Sequence, residues 1–137
     1  MMISTKGRYA LRMMTDLAQH AQNEPVPLKT IADRQEISMK YMEAIAALLN
    51  RGGLIQSTRG KIGGYTLSRP ASQITVQEVM EITEGSLAPV TCMEGGANSC
   101  NRAEACLTLP MWQKLDQLIE AYLSGITIQD LIDRNIK

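Results

Sequence analysis

Apolar residues recur with a helical period three times before the chain first alternates like a strand. Ala10, Met13, Met14, Leu17, Ala18 and Ala21 form a continuous stripe, which predicts a first helix capped by Ser4 or Thr5 and running to about residues 20–22. Pro25 and Pro27 lack amide donors and restrict the residues before them, so residues 23–27 break that helix and a second one starts afresh. Leu28, Ile31 and Ala32 give the second helix one apolar face, and the small Ala32 admits a close helix crossing. Ser38 is placed to cap a third helix, in which Tyr41, Met42, Ile45, Leu48 and Leu49 recur until Gly52 and Gly53 stop the run. The opposite face of that helix carries Met39, Lys40, Glu43, Ala44 and Ala47, small and polar enough for the backbone to approach a DNA major groove. Residues 54–58 and 65–67 are strand candidates, joined by Arg59-Gly60-Lys61-Ile62-Gly63-Gly64, whose three glycines permit positive backbone dihedrals. Helix, tight turn, helix and ribbon over residues 28–67 read as a winged helix-turn-helix. Such units also serve as plain core or dimer scaffolding, but turn, recognition-type face and basic wing here agree with one another.

Residues 68–72 are a connector, and Thr75 with Glu78 makes a capping box for a helix that ends near Gly85 and turns Val76, Val79 and Met80 inward. From residue 86 to about 107 neither a helical nor a strand period survives, and that stretch holds Gly95, Gly96, Asn98 and all three cysteines. Thr108-Leu109-Pro110 opens a long helix, in which Met111, Trp112, Leu115, Leu118, Ile119 and Tyr122 form a wide apolar stripe up to Ser124-Gly125. Thr127 with Asp130 starts a last short helix bearing Ile128, Leu131 and Ile132. The fold class is therefore mainly α with a small β-ribbon. Residues 1–70 form the DNA-binding winged helix-turn-helix, and residues 71–137 supply an effector loop (86–107) and dimerisation helices within one compact chain. The stripe of the long helix exceeds what so small a unit needs to cover itself, so a homodimer is expected, and two-fold symmetry doubles the base pairs read.

Charge sharpens this picture. The 137 residues have zero formal net charge, which says nothing for nucleic acid, but the charge is divided. Residues 1–69 hold ten Lys/Arg against five Asp/Glu, whereas residues 70–137 hold four against nine. Between residues 51 and 69 stand four cations and no carboxylate, concentrating positive potential on the ribbon where phosphates dock. Ser38, Lys40, Tyr41 and Glu43 on the third helix, with Arg59 and Lys61 on the ribbon, are the candidate contacts to a double-stranded DNA operator. No export signal or apolar run of membrane-spanning length is visible, so a cytoplasmic location with no membrane partner is expected.

Cys92, Cys100 and Cys106 follow a C-x7-C-x5-C spacing. Their odd number argues against a secreted disulfide framework. Thiolates are soft ligands suited to iron–sulfur clusters, zinc or copper(I), and a loop of this kind can wrap three of them round one centre. A four-iron cluster or tetrahedral zinc normally takes a fourth ligand, and the only histidine, His20, lies on the first helix.

The chain resembles the winged-helix transcription regulators typified by the iron–sulfur cluster regulator IscR and the nitric-oxide-sensitive repressor NsrR, with the cysteine-metabolism repressor CymR as a relative. The resemblance lies in Ser4-Thr5-Lys6-Gly7-Arg8-Tyr9-Ala10-Leu11, in Ile37-Ser38-Met39-Lys40-Tyr41-Met42-Glu43, in Arg59-Gly60-Lys61-Ile62-Gly63-Gly64-Tyr65-Thr66-Leu67 and in the trio ending Cys106-Leu107-Thr108. It implies a dimeric regulator, expected to repress, whose ribbon arginine enters the minor groove and whose recognition helix reads the major groove. It also implies a 2Fe-2S or 4Fe-4S cluster on the three loop cysteines and a fourth group. Two departures stand out. One subgroup has a histidine three positions after the last cysteine, where this chain has Leu109, and another draws an acid from near the N-terminus, where this chain has Arg8. Neither side chain can ligate, so the fourth ligand is open among Glu94, Asn101, Glu104, His20 and an exogenous group. The rival readings are a metal-free repressor that senses thiol oxidation or a metabolic partner enzyme, and a small zinc enzyme. The last lacks an acid–base pair with a clear role beside the cysteines.

Overall fold

The computed structural model describes residues 3–21, 24–61, 63–94, 101–102 and 104–137. In chain order these form α1 (Thr5–His20), α2 (Leu28–Gln35), α3 (Met39–Arg51), β1 (Ile55–Thr58), β2 (Gly64–Leu67), α4 (Val76–Glu84), α5 (Leu109–Ser124) and α6 (Ile128–Ile132). Short 3-10 turns at Ala71–Gln73 and Thr91–Met93 lie between them, the second inside the stretch expected to be irregular. None of the described helices is long and apolar enough to cross a membrane.

Three helix starts follow local chemistry. Ser38 accepts a hydrogen bond from the Tyr41 amide at 3.2 Å, and the pairs Thr75/Glu78 and Thr127/Asp130 close complete capping boxes. The start of α1 departs from expectation. Ser4 occupies the cap position, yet its hydroxyl donates to Glu84 Oε1 at 2.7 Å instead of capping its own helix. That oxygen also accepts from the amides of Ser4 (2.9 Å) and Gly7 (3.1 Å), so the carboxylate at the end of α4 satisfies the first turn of α1.

Met13, Met14 and Leu17 of α1, Ile31 of α2, and Met42, Ile45 and Leu49 of α3 are fully buried. Ile74, Val79 and Ile128 join the same cluster, so one core runs across residue 70. Asp16 is buried to 1% exposure on the α1 face turned toward α2, where Arg34 Nε and Nη2 donate to its two oxygens at 3.0 and 2.7 Å and Gln35 Nε2 adds a third bond at 2.9 Å. This fork locks α1 to α2. The chain then leaves α2 through Glu36, whose left-handed conformation (φ 56°) turns Ile37 inward and Ser38 toward the α3 cap.

The ribbon is antiparallel, with Ile55 opposite Leu67 and Thr58 opposite Gly64. Val26 adds a rung that the two prolines had concealed: its amide and carbonyl pair with the carbonyl and amide of Tyr65 at 3.0 and 2.9 Å. Of the three ribbon glycines, which permit positive dihedrals, only Gly60 uses that freedom. Gly60 takes φ 123°, whereas Gly64 is needed because a Cβ there would fall 2.4 Å from the Val26 carbonyl.

Beyond the core, Leu123, Ile126 and Leu131 pack on Val76, Met80 and Leu87, seating the end of α5 beside α4. No residue of α5 is buried. Met111, Leu115, Leu118 and Tyr122, at helical i, i+4, i+7 and i+11 positions, are exposed along one stripe.

Candidate nucleic-acid interface and cysteine loop

The amphipathic spacing of α3 divides its residues sharply. Met42, Ile45, Ala46 and Leu49 enter the core, while Lys40, Tyr41, Glu43, Ala44 and Ala47 are exposed. Met39, expected on the polar face, packs partly against the core instead, because the first turn of α3 crosses close to it. Ser38 is exposed and serves as the cap, so its hydroxyl oxygen is engaged by the Tyr41 amide. The Tyr41 ring meets the Tyr9 ring of α1 edge-on, with centroids 5.5 Å apart and planes at 77°. Its membership of the apolar stripe therefore does not bury it.

Arg59 and Lys61 are exposed at the tip of the ribbon. Among the described residues the ion pairs are Lys29–Asp33, Arg34–Asp16 and Arg69–Glu78. Lys40, Arg51, Arg59 and Lys61 are thus uncommitted cations, whereas Arg69, the fourth cation of the basic stretch, is held by Glu78. Small exposed alanines on a helix flanked by unpaired lysine and by a two-cation wing give a surface that phosphates fit by charge and a groove fits by shape.

The cysteine loop leaves α4 at Gly85 (φ 76°). Cys92 is exposed in the turn Thr91–Met93, and Cys106 is half-buried just before α5, with Sγ 3.3 Å from Thr108 Oγ1. Hydrogen bonding to the Thr108 hydroxyl, then to the backbone amides of Thr108 and Leu109, with the charge of Arg102, lowers the thiol pKa below its ordinary value against a small opposing effect of burial. The signal for this was local: a threonine two positions after a cysteine at a helix start. Cys100 lies outside the described residues. Among the described residues no three histidine, cysteine or acidic side chains converge as a metal site. The departures from the family pattern are visible in place. Leu109 presents an aliphatic side chain in the first turn of α5, and Arg8 directs its guanidinium to Thr5 Oγ1 at 3.1 Å. His20 ends α1, roughly 24 Å along the helix from Ser4, whose partner Glu84 marks the root of the loop.

A helix-turn-helix whose second helix exposes a small polar face, followed by a cationic ribbon, defines the class: a winged helix-turn-helix regulator of transcription. The profile of the Rrf2 family, iron-dependent transcriptional regulators, matches residues 3–134, and the chain belongs to that family. It is 39% identical to the HTH-type transcriptional regulator IscR of Photorhabdus laumondii, over 97% of this chain and 80% of that one. Two solved structures share the fold. The B. subtilis global cysteine regulator CymR superposes with a TM-score of 0.80 at 30% identity, covering 98% of both chains. The T. potens IscR superposes with a TM-score of 0.78 at 36% identity, covering 98% of this chain and 88% of that one. These relatives are regulators of transcription, and the reading as a small zinc enzyme falls with them.

Proposed function

We propose that the protein is a homodimeric, operator-binding repressor whose loop holds an iron–sulfur cluster on Cys92, Cys100 and Cys106, and whose operator affinity follows the state of that site. The observation that carries the reading is the placement of Cys106: a thiol held toward its thiolate form at the opening of α5, the helix with the exposed apolar stripe. The described thiols fit such a group chemically, since both reach solvent and thiolate is the ligating form. Bound there, a cluster supplies charge and redox- or nitric-oxide-sensitive chemistry at the root of the dimerisation helix. The chain's own residues do the rest. Lys40, Arg59 and Lys61 attract phosphate; Ser38 fixes the first turn of α3; Tyr41 and Glu43 face the bases, and Glu43 both accepts from cytosine and repels misplaced phosphate. Met111, Leu115, Leu118 and Tyr122 meet their copies across the two-fold axis.

A second reading rests on the same cysteine. With Leu109 and Arg8 in place of ligands, a metal-free repressor that uses the Cys106 thiol, its pKa lowered by hydrogen bonding to Thr108, as an oxidation sensor accounts for the loop equally directly. Anaerobic purification separates the two. The cluster reading expects iron and sulfide in matched amounts with visible charge-transfer absorbance; protein without either leaves the thiol reading.

A further inference from the structure

We propose that Tyr9 is a positioning residue for sequence readout, holding the Tyr41 ring in its DNA-facing pose before DNA arrives. Tyr41 belongs to the first turn of α3 and is 38% exposed, where an unsupported tyrosine samples several staggered rotamers. Here the backbone of Tyr41 is fixed by the cap and its ring by Tyr9. Its amide donates to Ser38 Oγ at 3.2 Å, and its ring stands edge-on to Tyr9, 5.5 Å between centroids at 77°. Tyr9 is itself immobilised, because one side packs against the core and the Arg12 guanidinium lies 5.3 Å from its ring centroid. Arg12 in turn donates through Nε to Gln35 Oε1 at 3.1 Å and through Nη2 to the Gln35 carbonyl, at the end of α2. A chain of contacts Gln35–Arg12–Tyr9–Tyr41 therefore runs from the helix before the turn, across α1, to the first turn of the recognition helix.

An aromatic pair of this geometry corresponds to about a two- to tenfold bias in an equilibrium. Fixing the ring beforehand spares the ordering that binding otherwise requires, so the bias is felt in operator affinity and not in the attraction between cations and phosphate. The inference rests on the reading of α3 as the DNA-facing helix.

The test uses a duplex selected from a random library by the wild-type protein, beside a scrambled duplex of equal length. Tyr9→Phe keeps the ring and is expected to match wild type on both. Tyr9→Leu is expected to bind the selected duplex about two- to tenfold more weakly and the scrambled duplex as wild type does, with Tyr9→Met taking its place if it does not fold. In a Tyr41→Leu background, removal of the Tyr9 ring is expected to add no further loss. Unchanged affinity of Tyr9→Leu, an equal loss on both duplexes, or full additivity with Tyr41→Leu overturns the inference alone. If Tyr41→Leu itself binds the selected duplex as wild type does, the placement of Tyr41 at the bases falls, and the inference with it.

Discussion

Glu84 Oε1 accepts the Gly7 amide at 3.1 Å, at a point where a Cβ on Gly7 would lie 2.4 Å from that oxygen. Glycine in the first turn of α1 is thus what lets the end of α4, one residue before the cysteine loop opens at Gly85, close onto the DNA-binding half.

Gly7→Ala is accordingly expected to destabilise the protein even though alanine favours helix by roughly 1 kcal/mol. The added methyl displaces the carboxylate and forfeits charge-assisted hydrogen bonds worth about 1.5–3 kcal/mol each when well formed, less at this partly exposed site. The expected net loss is on the order of 1 kcal/mol by denaturant unfolding. In a Glu84→Ala background Gly7→Ala should lose this cost; the same cost in both backgrounds would dissociate Gly7 from Glu84.

Asp16 ties α1 to α2, and its titration has a sign. Burial pushes its carboxyl upward, but hydrogen bonds from Arg34 and Gln35, with the Arg34 and His20 charges, outweigh this and hold it below the ordinary value. Because the folded-state pKa is depressed, its contribution is complete above the unfolded value of about 3.9 and is lost as pH falls through the lower folded value. Asp16→Asn is expected to cost about 1–3 kcal/mol at pH 7, since Arg34 keeps partial solvent access, and to flatten the acid limb of stability against pH below about 4. Parallel acid limbs for variant and wild type would contradict this.

Arg59 at the tip of the ribbon is exposed and unpaired among the described residues. Arg59→Ala should weaken operator binding and reduce the slope of log K against log salt by about one, because fewer counterions are released. An unchanged affinity and slope would remove the wing from DNA binding.

Leu118 is 54% exposed in the middle of the α5 stripe. Sedimentation at micromolar concentration is expected to find wild type dimeric and Leu118→Glu monomeric. The dimer should place the recognition helices about one DNA turn, roughly 34 Å, apart or a multiple of it. A wild-type monomer, with and without operator, would defeat the dimer proposal.

Features whose partners lie within one helical turn were legible from the chain alone. Ser38, Thr75 with Glu78 and Thr127 with Asp130 announce their helices because a cap and its amide are two or three residues apart. The period of α3 likewise put Met42, Ile45 and Leu49 in the core and Lys40, Glu43, Ala44 and Ala47 outside it. It missed buried Ala46, left Leu48 only half-buried, and misplaced Met39 and Tyr41, where neighbouring helices decide. What escaped depends on distant partners. Nothing local at Ser4 points to a carboxylate 80 positions on, and nothing in Pro25-Val26-Pro27 reveals a rung against Tyr65. Gly64 looks like a turn glycine until the Val26 backbone is placed against it. At the candidate site the thiol trio and the two cationic positions were readable as residue types. The support of Tyr41 by Tyr9 emerges only from packing, whereas the lowered pKa of Cys106 follows from Thr108, two residues on at the start of α5.

The central claim, that the state of the cysteine site sets operator affinity, is tested most directly by anaerobic DNA binding. Wild type as purified and after metal removal would be compared with Cys92→Ala, Cys100→Ala and Cys106→Ala on one selected operator. A ligand or group shifts the binding equilibrium only by interacting differently with the two states, so the account predicts distinct affinities for the two wild-type forms, iron retained only by the first, and each variant behaving as the stripped protein. Equal affinities throughout, with no iron retained by wild type, would contradict it.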